Sequence, residues 1–381
     1  MKKLVLGMML SVLFPVFASA EEVIVRMRDN VSLMAISSMD VKFIKEVRGS
    51  EQTFVVEGNL KDLQINSAVL YAEPNYILHA LVTEEEPAPE AGAWGVSKIQ
   101  APEAWKTGVK GEGVVVAVID TGVDYTHPAL AGKVWMNEKE IAGNNLDDDG
   151  NGFIDDVYGY DFANKDGDPK DDHSHGTHCS GTIVGDKVGV APKAKIMAIK
   201  FLDKNGSGTL AAAVEAINYA TLMKANVMSN SWGGGGFSQT MADAIKKAQD
   251  AGIVFVAAAG NEYNDNDKRP TYPATYDGVI AVAATDDKDA KASFSNWGAT
   301  KVAVAAPGVK IYSTVIDGKY ASYSGTSMAC PHVAGMSALL LSKGIPAAEV
   351  KQKLIDSSDL IDSLTGKSVS NGRVNALKAV N

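Results

Sequence analysis

The run "GVVVAVIDTGVDYTHP" (residues 113–128) carries the first decision about the fold. Its apolar residues from Val114 to Ile119 are continuous rather than alternating, which marks a strand buried on both faces. The run stops at Asp120, before Thr121 and Gly122. Four further runs share this character: "KIMAIKFLD" (195–203), "ANVMSNSW" (225–232), "GIVFVAAAGN" (252–261) and "GVIAVAAT" (278–285). Between them, "TLAAAVEAINYATLMKA" (209–225) and "SQTMADAIKKAQDA" (238–251) have helical spacing. Strands alternating with crossover helices predict a three-layer α/β/α fold with a mostly parallel central sheet. In such sheets, sites collect at the carboxyl ends of the strands.

The bulk composition fits a soluble globular chain: 381 residues, 46% hydrophobic, 22% charged. That length holds two or three domains. The net charge of −10 argues against nucleic acid as a partner. Residues 1–20 have a basic start, an apolar stretch broken by Pro15 and small residues at Ala18 and Ala20, the pattern of a secretory signal peptide cut before Glu21. The apolar stretch is shorter than the ~20 residues a membrane span requires. A secreted chain is therefore expected, extracellular or periplasmic, not held in a membrane and monomeric. Residues 21–82 read as a small α+β domain, with strands in "VIVRM", "TFVVEG" and "VLYAEPNYIL" and a helix in "NLKDLQINSA". Residues 83–93, opening on "TEEEPAPEAG", read as a linker, and 94–381 as the main domain.

Three strand ends carry chemistry. Asp120 closes the first, Asn261 follows Gly260 after another, and "SNSWGGGG" ends a third. Each alone is compatible with a turn. Further on, "YSGTSMACPHVAGMSALLLSKG" (323–344) places Ser327 at the start of an apolar helix, where unpaired N–H groups favour developing negative charge. A capping serine is the plainer explanation of the same position.

The stretch "DDHSHGTHCSG" (171–181) holds His173, His175 and His178, half of the six histidines in the chain, with Cys179. By residue type it could be a metal site. A binuclear metallohydrolase built there would need an apolar strand leading into it and further ligands, whereas "NKDGDPKDD" precedes it. Taken with Asp120, Ser327 and Asn261, one histidine instead completes the inventory for acyl transfer: a hydroxyl, a base, a carboxylate to orient the base and a donor for the oxyanion.

These residues resemble the subtilisin-like serine proteases. "VAVIDTGVDYTHP", "HGTHCSGT", "AAAGNE" and "SGTSMACPHVAG" are similar to that family's Asp, His, oxyanion-Asn and Ser motifs, and occur in its order. The resemblance implies a triad of Asp120, His175 and Ser327, with Asn261 as the side-chain oxyanion donor and protein or peptide substrates. It implies that Ser231, Trp232, Gly233 and Gly234 form one wall of the substrate cleft and Ala258, Ala259 and Gly260 the other, with Thr271 at the pocket floor. It also implies that residues 21–82 are an inhibitory propeptide, cut between Leu81 and Val82, so that an apolar residue is preferred before the cut. A related acid-acting group, with Glu for His and Asp for Asn, does not match His175 and Asn261. An inactive secreted binding protein on the same fold is disfavoured by competent residues at all four positions.

The loop "NNLDDDGNGFIDDVYGYDF" (144–162) carries a separate signal. Asp147, Asp149, Asn151, the Phe153 carbonyl and Asp155 follow the spacing of the front of an EF-hand loop, with Gly152 at the turn; position 12 is Tyr158 rather than Glu. A structural Ca²⁺ is expected there, the alternative being a solvated acidic loop. The only two cysteines, Cys179 and Cys330, are expected as buried thiols or as one bridge.

Overall fold

The computed structural model describes residues 21–86 and 93–381. The expected signal segment lies outside the described residues. The chain divides into two compact units, one running up to Lys45 and including Gln52–Pro74, the other comprising Glu46–Glu51 and Asn75–Asn381.

In the smaller unit, strand Glu21–Met27 pairs antiparallel with both Thr53–Gly58 and Val69–Pro74. Val23, Val25, Met27, Val56, Leu63 and Val69 form its core. Helix Leu60–Ile65 is capped by Asn59, whose side chain accepts from the Lys61 and Asp62 N–H groups. The edge strand Lys42–Glu46 was not legible in the sequence: "KFIKE" is largely exposed and charged, as edge strands commonly are.

The larger unit is built on a nine-stranded sheet. Its strands are β1 (Val115–Asp120), β2 (Gly159–Asp161), β3 (Lys195–Lys200), β4 (Val227–Asn230), β5 (Val254–Ala258), β6 (Ile280–Thr285), β7 (Val304–Pro307), β8 (Asp359–Leu360) and β9 (Gly372–Arg373). They run in the order β8-β9-β7-β6-β5-β4-β1-β3-β2. All neighbours are parallel except the β8–β9 edge pair. Strands β4 to β7 are buried throughout, and β1 and β3 beyond their first residue, which is why they read as largely apolar runs.

Helices α1 (His175–Val184), α2 (Leu210–Leu222), α3 (Gln239–Asp250) and α4 (Thr326–Ser342) complete the layers. The α1 and α4 helices pack on each other, α2 on α3, and both pairs lie against the sheet. The fold is the expected α/β/α sandwich. Helix α4 is buried from Thr326 to Leu340, so apart from His332 it is apolar or small on every side. Among the described residues no single helix is long and apolar enough to span a membrane.

Two boundaries differ from the sequence reading. Residues 75–82 belong to the larger unit rather than to the small domain. Within the expected linker, strand Glu84–Glu86 pairs antiparallel with Ser322–Ser324. Both follow from backbone pairing available only once the cleft is assembled. The rest of that segment, 87–92, lies outside the described residues.

Candidate active site

The carboxyl end of β1 and the first residue of α1 meet. His175 Nδ1 lies 2.7 Å from Asp120 Oδ1, with both side chains fully buried. A carboxylate only accepts, so Nδ1 carries the proton and Nε2 is the basic nitrogen. The same Asp120 oxygen accepts the Thr121 N–H at 2.7 Å. Close approach of α1 to β1 requires Gly176, because a Cβ there would stand 2.1 Å from the Gly122 carbonyl oxygen.

Asp171 holds the start of α1. Its carboxylate accepts from the N–H groups of His173 (2.9 Å), Ser174 (3.0 Å) and Thr177 (2.9 Å). It also accepts from the hydroxyls of Thr121 (2.9 Å) and Thr177 (2.6 Å). It thus acts as the cap that Ser174, in a left-handed conformation, does not supply. Burial raises the Asp171 carboxyl above the usual range, while these hydrogen bonds pull the other way. Beneath the same turn, the 1% exposed Lys200 side chain donates to Thr121 O (2.9 Å), Leu202 O (2.8 Å) and Asp172 Oδ1 (2.6 Å). Neither Asp171 nor Lys200 was singled out from sequence, since capping and burial partners depend on loop geometry.

The three histidines diverge. His173 stands beside Gly206 and Ala80 on the cleft rim. His178 stacks on Tyr323 at 4.5 Å and donates to the Ile311 carbonyl at 2.8 Å. Burial pushes His178 down to about 3 and His332 to about 4, so both are neutral around pH 7. Cys179 and Cys330 are free and buried, with their thiols pushed up by burial, Cys330 to about 11. Such thiols are unreactive.

Ser327 is the second residue of α4, and its hydroxyl donates to the Ser231 carbonyl at 2.8 Å. Asn261 follows β5. Its Oδ1 accepts from the Thr326 N–H (2.9 Å) and hydroxyl (2.8 Å), which turns Nδ2 towards the carbonyl oxygen of Leu81 at 2.8 Å. Gly325 leaves room for that carbonyl, because a Cβ would lie 2.5 Å from it.

Residues 77–86 run through the cleft as extended chain. Strand Ile77–Ala80 is antiparallel to Ser207–Thr209 on one side and to Trp232–Gly233 on the other. The Leu81 N–H donates to Ser231 O at 3.2 Å, and the Thr83 N–H to Ser324 O at 2.8 Å. Leu81 packs against the core and approaches Gly233, while Leu78 is 3% exposed and lies by Gly234. Trp232 anchors its strand by donating to Ile119 O at 2.9 Å. Ala258, Ala259 and Gly260 are buried at the end of β5, just before Asn261. Thr271, expected at the pocket floor, is hydrogen-bonded to Asn266 (3.0 Å) and Asn296 (3.2 Å).

In the acidic loop, carboxylate oxygens of Glu140, Asp147 and Asp149 lie within 4.8 Å of one another. Glu140 was missed because it precedes the loop in sequence. Its Oε1 accepts from the Asp148 and Asp149 N–H groups, while its buried Oε2 has no hydrogen-bond partner among the described residues. Burial raises this carboxyl above its usual range. Of the other expected ligands, Asp155 is occupied by the N–H groups of Gly143, Asn144 and Asn145. Asn151 bonds Asp156 and Phe153 N, and the Phe153 ring packs among Tyr160, Phe162 and Tyr219. Of the five expected residues, Asp147 and Asp149 are the two brought together with Glu140. The loop folds back on Glu140.

The sequence profile of the subtilase family (Peptidase S8) matches residues 111–376. Thermitase of Thermoactinomyces vulgaris is 42% identical over 304 residues, covering 78% of this chain and 99% of its own length. A thermophilic serine proteinase of Bacillus sp. (strain AK1) is 41% identical over 332 residues, covering 85% and 76%. Subtilisin DY of Bacillus licheniformis is 39% identical over 269 residues, covering 68% and 89%. The chain belongs to the subtilase family, and with it to the serine-type endopeptidases that hydrolyse peptide substrates.

Proposed function

We propose that Asp120, His175 and Ser327 act as the triad, with Asn261 and the Ser327 N–H as oxyanion donors, in a secreted, monomeric zymogen that cuts itself between Leu81 and Val82. The observation that carries this reading is the Leu81 carbonyl, held at 2.8 Å by Asn261 Nδ2 and set against Gly325, two residues before Ser327. Ser327 Oγ turns from the Ser231 carbonyl to His175, gives its proton to Nε2 and attacks the Leu81 carbonyl carbon. The oxyanion is held by Asn261 Nδ2. His175 then passes the proton to the Val82 amine as the C–N bond breaks, and water activated by the same base releases the acyl group. Asp120 keeps Nδ1 protonated and stabilises the imidazolium.

The contacts of Ser231, Trp232, Gly233 and Gly234 with residues 77–81 support their role as the wall that adds an extended substrate as a strand, and Ala258, Ala259 and Gly260, which lead into Asn261, are assigned to the other wall. Leu81 and Leu78 occupying apolar positions supports a preference for apolar residues before the cut. The segment from Glu21 to the cut after Leu81 serves as the inhibitory propeptide. A Ca²⁺ held by Glu140, Asp147 and Asp149 would neutralise three converging carboxylates, and the unpartnered Glu140 oxygen supports the fit. Its role is structural.

N-terminal sequencing and fluorophosphonate labelling test this. The parent protein is expected to mature to a chain starting at Val82 and to label on Ser327, while Ser327→Ala stays uncut and unlabelled. A mature start far from Val82 would reject the processing assignment, and labelling retained in Ser327→Ala would reject the nucleophile.

A further inference from the structure

We infer that Asn296 is a positioning residue for the reaction, acting through Asn261; the inference rests on the oxyanion reading above. Asn296 is fully buried on the loop after β6. It bonds the peptide groups on both sides of Asn261. Its N–H donates to the Gly260 carbonyl at 2.9 Å. Its Oδ1 accepts the Glu262 N–H at 3.0 Å, and the Asn264 N–H at 2.8 Å. The backbone carrying Asn261 is therefore held before and after it by one side chain and its own amide.

The orientation of that side chain is fixed by its surroundings. Nδ2 faces only acceptors: Ala259 O (3.1 Å), Glu262 Oε2 (2.7 Å) and Thr271 Oγ1 (3.2 Å) among them. Reversing the amide would set its oxygen against these and its NH₂ against two N–H donors. The fit is close enough to demand glycine at 260, where φ is +111° and a Cβ would lie 2.2 Å from Asn296 Nδ2.

The consequence is a division of labour. Thr326 fixes the Asn261 carboxamide, while Asn296 fixes the backbone from which it projects. An oxyanion donor must meet an atom whose position is defined to a fraction of an ångström, so loosening its backbone costs turnover more than binding. The hydrogen bonds of Asn296 among the described residues go to neither Leu81 nor Ser327, so its effect passes through Asn261.

A double-mutant cycle with Asn261→Ala tests the inference, with active sites counted by fluorophosphonate so that misfolded protein is not scored. Asn296→Ala is expected to lower kcat per titrated site about 10-fold, part of the roughly 10²–10³ known for the corresponding donor of this same family. KM should change less than about 2-fold, as for an interaction made in the transition state. In the Asn261→Ala background the same substitution should change kcat by less than about 2-fold, because the group it positions is gone. Asn296→Asp keeps the accepting oxygen but loses the donors, and is read in the same cycle if the alanine variant does not fold. Equal losses in both backgrounds, or a loss only in the number of titratable sites, overturn the positioning role. If Asn261→Ala itself leaves kcat intact, the oxyanion reading fails first and this inference falls with it.

Discussion

Acid should destabilise this protein through two buried histidines, and the size of the effect follows from where they sit. His178 and His332 are fully buried and have pKa values near 3 and 4, against about 6.5 when unfolded. Burial is the main cause: His178 Nε2 donates to Ile311 O, and hydrogen bonding to the Ile311 and Ala321 backbone favours the charged ring, but not enough to offset the loss of solvent. His175 lies close enough to add to the penalty. His332 Nδ1 donates to Met328 O at 2.8 Å, and its Nε2 abuts Gly95. Because the folded values are lowered, their contribution is complete above about pH 6.5 and is lost as pH falls towards 4 and 3. From pH 6.5 to 4.5 each group loses up to about 2.7 kcal/mol, together about 5 kcal/mol, comparable with the whole stability of many domains. Asp156, Asp161 and Asp171, whose carboxyls burial raises, act in the opposite sense. Their contributions are present in acid and lost as pH rises, so the histidine effect must be read as a difference between variants. Urea unfolding of Ser327→Ala, with and without His178→Gln and His332→Gln, at pH 7 and 4.5 supplies that difference. The chain with both histidines should lose about 5 kcal/mol more than the one without. Parallel losses within about 1 kcal/mol would refute the argument.

Other outcomes follow from the same geometry. Asp171→Asn leaves an NH₂ facing N–H donors at the start of α1 and should cost about 1–3 kcal/mol in urea unfolding of the Ser327→Ala protein. A stability loss below about 0.5 kcal/mol would contradict the capping role. A chelator should lower the melting temperature of the parent but not of Glu140→Gln; at 1,000-fold saturation the metal contributes about 4 kcal/mol. An equal chelator response in both would remove Glu140 from the ligand set. Leu81→Asp places a charge against the apolar side of the cleft, and self-cleavage at that bond should slow at least about 10-fold in a time course on gels. Unchanged cleavage there would contradict the apolar preference.

The sequence by itself determined the layered fold and the order of the strand ends, because fully buried parallel strands leave unbroken apolar runs and each run must stop at a polar residue. Asp120, His175, Asn261 and Ser327 were legible for that reason, each standing at the end of a strand or the start of a helix. Only the tertiary structure decided what those residues touch. Asp171, Lys200 and Asn296 carry no local signal, because their side chains bond atoms distant in sequence and a buried polar residue is defined by its partners. The acidic loop makes the same point in reverse. Its spacing matched an EF-hand, but without flanking helices to set the loop, the carboxylates that converge are Asp147, Asp149 and Glu140, and Asp155 turns to cap the chain at 143–145. Spacing records which ligands the chain can offer; the packing around the loop selects which of them meet.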